Sequence, residues 1–329
     1  MAGLSEFRKV ADEVRNWGRW GAEDEVGCLN FITPEKIRQA AGLVRQGKAF
    51  PLGADFGSKG PQGAFLFRQN PVHVMTVDGG DASTLTQYGG QWAANGTAQQ
   101  LGGFFSSGLL RFNDDMIIMP LQAATQWDAF SHVYYEDQLY NGFPAESVTS
   151  QGAFRCGIEK TDVNGVTSRG VLLDVVKHRN AGPFLADGQP VTPEELDEVA
   201  RAEGVDITSG DIVLVHTGWW ERFIETGDGT TTADGLDWRC AQWLHSREAA
   251  AVAADNLMVE DVNSGVDGQF MPLHLLCLRD MGLMLGEYWD LTALSADCAA
   301  DGVYEFQLIA PPLRVIGAVG SPLNPIALK

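Results

Sequence analysis

From Thr192 onward the chain alternates helix-forming and strand-forming segments, and this alternation restricts it to a sheet covered by helices. Thr192-Pro-Glu-Glu195 is a capping box, in which the Thr hydroxyl serves the first helical turn and the Glu reaches back. The helix it opens closes near Gly204. Asp211 then leads Ile-Val-Leu-Val-His216, a run too uniformly apolar for an edge strand. Residues 238–250 read as a helix and Ala251 to Ala254 as a strand, with Asp255 and Asn256 at its C-terminal end. Apolar residues at 273, 276, 277 and 281 keep helical spacing until Gly282, and the apolar run 283–285 follows as a buried strand. Nearer the N-terminus, Thr33-Pro34 opens a capped helix that the pattern carries to Gly47. Val303 to Ala318 reads as two strands broken by Pro311-Pro312. A mixture of this kind belongs to the α/β class. No linker-like shift in composition divides residues 1–329, so the expectation is one domain. Residues 53–110, rich in Gly, Gln and Ser, stand apart as a solvent-facing excursion, a lid or an oligomer arm.

Charge and cysteine usage narrow the function. The formal net charge of −20 repels nucleic-acid phosphates and anionic membrane surfaces, so neither is an expected partner. No apolar run approaches the ~20 residues of a membrane span. The first residues lack the charged-then-apolar order of a secretory signal. The five cysteines, at 28, 156, 240, 277 and 298, are scattered and form no C-x-x-C pair. Together these features point to reduced thiols in a cytoplasmic enzyme. Neither a phosphate-binding G-x-x-x-x-G-K-[ST] loop, nor a strand-linked G-x-G-x-x-G, nor a G-x-S-x-G elbow is present.

The chemistry-bearing stretch is Gln122-Ala-Ala-Thr-Gln126-Trp-Asp128-Ala-Phe-Ser-His132. It spaces two amides, a carboxylate and an imidazole by four, two and four residues. Oxygen and nitrogen donors can hold a divalent cation, and an imidazole moves protons near neutral pH. Taken alone, the stretch also fits a polar turn leading into a strand. Far downstream, His274 begins a helix and Glu287 lies just past the following strand, an order that can return both to one place.

This pairing resembles the cyclase family of metal-dependent hydrolases, to which bacterial kynurenine formamidase and isatin hydrolase belong. Members carry H-x-x-x-H-x-D-x-x-x-H, and here Gln122 and Gln126 occupy the first two histidine positions. The Gln-bearing version is similar to that of trans-dienelactone hydrolases. Trp17-Gly-Arg-Trp-Gly-Ala-Glu-Asp-Glu-Val-Gly-Cys-Leu-Asn30 resembles the family's N-terminal signature. Asp211 to Trp219 and Ala254 to Glu260 also fit its larger members. The resemblance implies a β/β/α arrangement, a curved mixed sheet or barrel flanked by helices. It implies metal ligands at Gln122, Gln126, Asp128, His274 and Glu287, a proton shuttle at His132, and a homo-oligomer, dimer or tetramer. Two Gln in place of two His make a weaker, harder donor set, which favours a single manganese or zinc ion over two zincs. Gln122 and Gln126 stand open between metal and substrate.

The implied activity is opening of a cyclic ester or cyclic amide by an activated water, with formamide cleavage as the near alternative. A protein that only binds a small molecule, or a cyclase or isomerase, would keep the same motif with a weakened metal site. Trp127, Phe130, Tyr134, Tyr135 and Trp219 cluster about the motifs and suit a planar cyclic substrate, although aromatic residues also fill cores. Asp255, Asn256 and Glu260 read either as groups that orient His274 or a water, or as caps at the end of the preceding strand. His73, His178, His216 and His245 match no motif position and read as structural, and Lys177-His178-Arg179 reads as a solvated loop or an anion contact.

Overall fold

The computed structural model describes residues 2–63, 67–78, 80, 109, 111–185, 188–231, 234–263 and 265–329. A nine-stranded mixed sheet forms the centre. In sheet order it runs β1 (Ala49–Pro51), β13 (Ile326–Leu328), β11 (Glu305–Ile309), β7 (Thr167–Asp174), β8 (Ile212–His216), β9 (Ala251–Ala254), β10 (Met284–Glu287), β4 (Gln126–Asp128) and β12 (Gly320–Pro322). The sheet curls into a half-barrel flanked by helices, an α/β arrangement of the expected kind. Strands β7, β8, β9 and β10 are parallel neighbours, whereas β4 pairs antiparallel with both β10 and β12. Two short ribbons lie apart, β2 (Val72–Val77) with β3 (Asp114–Ile118), and β5 (Val148–Thr149) with β6 (Gly152–Ala153).

Strands β8, β9 and β10 are buried throughout, which is why their sequences are largely apolar runs rather than alternations. One half of the capping box forms at the helix Pro193–Glu203, while the Glu195 carboxylate accepts from Arg179 rather than reaching back to Thr192. Thr192 Oγ1 accepts from the Glu195 backbone N–H at 3.3 Å, and Gly204 closes the helix with φ 69°. Other expectations need correction. The helix after Thr33 ends at Ala41, short of Gly47. The helix expected over 238–250 spans Cys240–Ser246. Beyond β11 the chain forms no second strand before Gly320, because Pro311 and Pro312 remove two ladder donors. Most of the 53–110 excursion, including its reading as a lid or arm, lies outside the described residues; its flanks form the exposed β2–β3 ribbon.

Among the described residues no helix is long and apolar enough to cross a membrane. All five cysteines are free and buried.

Candidate metal centre

Sheet register builds the site. Residues two apart in a strand share a face, so Gln126 and Asp128 point together from β4. Glu287, the last residue of β10 rather than a residue beyond it, lies directly opposite Gln126. Gly320 of β12 lies opposite Asp128. A Cβ at Gly320 would come within 2.5 Å of Gln122 Nε2, so this glycine lets the Gln122 amide lie beside Asp128 on the same face. Gly286 is equally constrained, since a Cβ there would meet Ala253 at 2.6 Å and Trp127 at 2.7 Å.

His274 arrives from the helical segment that precedes β10. Pro272–His274 forms a single α-turn, and Leu275–Met281 continues as a π-helix, ended by Gly282 at φ 65°. The spacing had read as an ordinary helix. The wider π-turn is a form that recurs at functional sites. Glu260 fixes the imidazole by accepting from the backbone N–H of Leu273 at 3.0 Å and of His274 at 2.9 Å, and by a short hydrogen bond to Nδ1. Nε2 is thereby aimed at Glu287 Oε1, 3.2 Å away, and at Asp128 Oδ2, 3.9 Å away.

Donor atoms of Asp128, His274 and Glu287 all lie within 4.8 Å of one another, and all three residues are buried. Gln126 Nε2 donates to Asp128 Oδ1 at 3.0 Å and to Glu287 Oε2 at 2.8 Å, so this amide holds the two carboxylates at a fixed spacing. His132 Nε2 lies 3.9 Å from Asp128 Oδ1 at the edge of the cluster. Burial lowers the pKa of His132, and His274 and Arg68 push the same way against the pull of Asp128. Burial, with repulsion from Asp128, raises that of Glu287. For His274 burial opposes the charged form, but hydrogen bonds to Glu260 and Glu287 outweigh it and raise the pKa.

Two carboxylates this close and this buried are costly without a positive partner. Asp128 Oδ2 and Gln126 Oε1 are buried and lack hydrogen-bond partners, as does Gln122 Nε2. A divalent cation among Asp128, His274 and Glu287 would satisfy the orphaned carboxylate oxygen and offset the charge, so the residues fit such an ion. The donor set, two carboxylates and one imidazole, suits manganese or zinc alike.

The remaining expected residues are distributed unevenly. Asn256 accepts from the Val259 N–H at 2.7 Å and shapes the turn that delivers Glu260. Asp255 serves a different cluster, accepting from the N–H and hydroxyl of Thr217, both at 2.8 Å. Three aromatic residues expected to line a pocket, Trp127, Phe130 and Trp219, are buried in the core, and Tyr135 is half-buried against it. Trp127 donates to the Ala310 carbonyl at 2.9 Å and packs edge-on against Trp289. Phe130 packs on Tyr140, and Trp219 stacks on Phe223 at an interplanar angle of 6°. Tyr135 donates to Asp280 at 2.8 Å and lies under the Arg279 guanidinium. Tyr134 is surface-exposed. In the Lys177-His178-Arg179 segment, Arg179 is held by Glu195 and Asp234, and Lys177 donates to Tyr304. No reading of the sequence singled out Arg68, which reaches the site from outside the sheet, because a lone Arg in a stretch without periodicity gives no signal.

A family model described as putative cyclase matches residues 62–261. The chain belongs to this cyclase family. A crystal structure of a protein described as a novel cyclase is 38% identical, with 97% of this chain and 99% of that chain covered and a TM-score of 0.83. Two more distant structures share the cyclase fold. One is an isatin hydrolase bound to the product analogue thioisatinate, 16% identical, with 91% of this chain and 99% of that one covered and a TM-score of 0.59. The other is isatin hydrolase A from Ralstonia solanacearum, 14% identical, covering 88% of this chain and 95% of that one with a TM-score of 0.60. A comparison with curated proteins finds no match.

Proposed function

We propose that this cyclase-family protein is a metal-dependent hydrolase that opens a cyclic ester, with a cyclic amide or formamide as the second substrate class. The observation that carries the reading is the buried trio Asp128, His274 and Glu287, with an orphaned Asp128 oxygen and His132 at its edge. A single manganese or zinc ion held by these three residues would supply Lewis acidity towards a carbonyl oxygen and towards water.

The chain's own groups do the rest. Glu260 fixes the tautomer and aim of His274, so that Nε2 faces the centre. Gln126 keeps Asp128 and Glu287 from separating. His132, its pKa lowered by burial, is neutral at neutral pH and free to act as base. It accepts a proton from the attacking water at Nε2. The water oxygen bonds to the acyl carbon, the acyl–oxygen bond breaks, and His132 returns the proton to the leaving oxygen. The Gln122 amide, orphaned beside Asp128, is positioned to donate to a substrate oxygen rather than to hold metal.

The second substrate class is favoured by the shared fold with isatin hydrolase, whose printed name places it on a cyclic amide. We also assign the protein to the cytoplasm as a homo-oligomer. The exposed Val72, Val74, Met116 and Ile118 of the β2–β3 ribbon would serve as the contact between copies, and sedimentation would test this. Turnover of a small panel of lactones, cyclic amides and formamides, before and after chelation, tests the hydrolase reading. Hydrolysis abolished by chelator and restored by manganese or zinc supports it. Turnover indifferent to chelator, or binding without turnover, contradicts it.

A further inference from the structure

Asn256 stands two residues past the end of β9, buried between the turns that present Glu260 and Glu287. We propose that Asn256 is a positioning residue for the metal centre. It holds the left-handed residues Val259 and Tyr288, and through them it fixes the two carboxylates that face His274 from either side. The inference rests on the metal-dependent reading of that centre and adds to it the means by which its geometry is kept.

Backbone conformation is the first argument. Val259, directly before Glu260, and Tyr288, directly after Glu287, both have φ 59°. Met271, which precedes Pro272 three residues before His274, has φ 58°. Branched and bulky side chains seldom adopt this region, and they persist there only where their surroundings hold them. Among the other described residues the conformation falls mainly on Asn, Asp, Glu and Gly. Glycine would take it without strain but would leave the turn free to move. Here buried side chains anchor the turns instead. Val259 is 0% exposed, and Tyr288 packs on Trp219 with ring centroids 5.5 Å apart.

Hydrogen bonding is the second argument, because one residue closes both turns. Asn256 Oδ1 accepts from the Val259 N–H at 2.7 Å, and the Asn256 backbone carbonyl accepts from the Tyr288 N–H at 3.0 Å. Asn256 Nδ2 donates to the Asp234 carbonyl at 3.3 Å, which fixes the side-chain amide itself. The far side of each left-handed residue is held too. The Val259 carbonyl accepts from the Leu236 N–H at 2.9 Å, and that of Tyr288 from the Thr125 hydroxyl at 2.5 Å. The consequence falls on His274. Glu260 meets its Nδ1 and Glu287 lies 3.2 Å from its Nε2, so the imidazole is gripped between two carboxylates whose turns both close on Asn256. Loss of the Asn256 side chain would loosen that grip while leaving intact the strands that carry it.

Competition with a fluorescent chelator for manganese or zinc tests the inference on the full chain. Asn256→Ala should weaken metal affinity by about 10- to 100-fold, the range for loss of a group that orients a ligand. Asn256→Asp keeps the Oδ1 acceptor and should recover most of that loss. Leu214→Ala, in the buried strand β8, should lower stability without changing affinity. Wild-type affinity in Asn256→Ala overturns the proposal, as does an Asn256→Asp variant equally weak, or an equal loss in Leu214→Ala. If Asn256→Ala does not fold, Asn256→Leu, closer in volume and also lacking the acceptor, replaces it. Amide hydrogen exchange on the metal-free protein gives a readout independent of the ion. The Val259 and Tyr288 amides should both exchange faster in Asn256→Ala, by about tenfold, the size of one lost hydrogen bond. Acceleration confined to Val259 would overturn the link between the two turns. A wild type that binds neither metal would contradict the metal-dependent reading, while the exchange rates would still decide the role of Asn256.

Discussion

Two clusters of the same residue types, one gathered around the end of β10 and the other around the ends of β7, β8 and β9, are built to different purposes. One is Asp128, His274 and Glu287, and the other is His216, Glu221 and Asp255 with Asp174. In the second, both imidazole nitrogens are engaged, with Asp174 at 3.0 Å and Glu221 at 2.8 Å. Asp174 also accepts from the Ser295 hydroxyl at 2.5 Å and the Lys177 N–H at 3.1 Å, while Asp255 is taken by Thr217. Its one unpartnered oxygen on the three candidate donors, Glu221 Oε2, belongs to a side chain that is 22% exposed. In the first cluster the orphaned oxygen belongs to Asp128, which is 0% exposed. The lesson is that donor count alone does not separate a metal centre from an ion-pair network. What separates them is whether the buried charges are already closed on one another.

The largest effect should follow from breaking the first cluster. Asp128→Ala removes an anchor and should lower the hydrolysis rate by about 10³-fold or more, a loss of several kcal/mol of transition-state stabilisation. Steady-state kinetics at saturating manganese would measure it, and a variant within tenfold of wild type would refute the assignment. His132→Ala should cost about 10²- to 10⁴-fold in kcat while leaving metal content intact, as expected of a proton-transfer group. Loss of metal in that variant would make His132 a ligand instead.

The second cluster should respond in stability. His216→Ala leaves Asp174 and Glu221 facing each other without the imidazole and should cost about 3–5 kcal/mol in unfolding free energy, with metal content unchanged. The imidazole pKa is raised well above its ordinary value: burial opposes this, and hydrogen bonds to Asp174 and Glu221 prevail. A histidine raised on folding contributes stability that is fully present below its unfolded pKa, ~6.5, and is lost as pH rises through the folded value. The stability gap between wild type and variant should therefore be widest in mild acid and narrow with increasing alkalinity. A gap that widens upward would contradict the charge assignment.

Smaller effects sharpen the first cluster. Glu260→Gln should weaken metal affinity by about 10- to 100-fold through loss of His274 orientation. Competition with a fluorescent chelator would read this, and unchanged affinity would remove Glu260 from the design. The smallest is a shift along the pH axis. Because burial lowers the pKa of His132, the acid limb of kcat/KM should lie below the ordinary histidine value of ~6.5. A limb above that value would mean that another group titrates.

The sequence revealed these clusters unequally. The parallel strands β8, β9 and β10 were legible because burial on both faces demands apolar runs, whereas β7, which opens Thr-Ser-Arg-Gly, carries no such run. Gln126, Asp128 and His132 were legible because β4 and the turn after it fix their spacing. Glu260 was legible as a carboxylate following a strand end. The His216 cluster was not, since three strand ends and the helix Trp219–Thr226 must converge before its groups meet. The π-helix was hidden because 273, 276, 277 and 281 satisfy α spacing, and the choice of the wider turn is made by packing. The aromatic residues misled for a related reason. Trp127 lies between two site residues in β4, and the alternation that points those two to the site turns its own ring to the opposite face.

The central claim is that the Asp128–His274–Glu287 cluster holds a divalent ion. The most direct test is metal analysis by plasma mass spectrometry of wild type and Asp128→Ala, purified without chelator and then dialysed against manganese or zinc. The account predicts a single bound ion per chain in wild type and its loss in the variant. A wild type that remains metal-free after both additions, or a variant that retains the full complement, would contradict it.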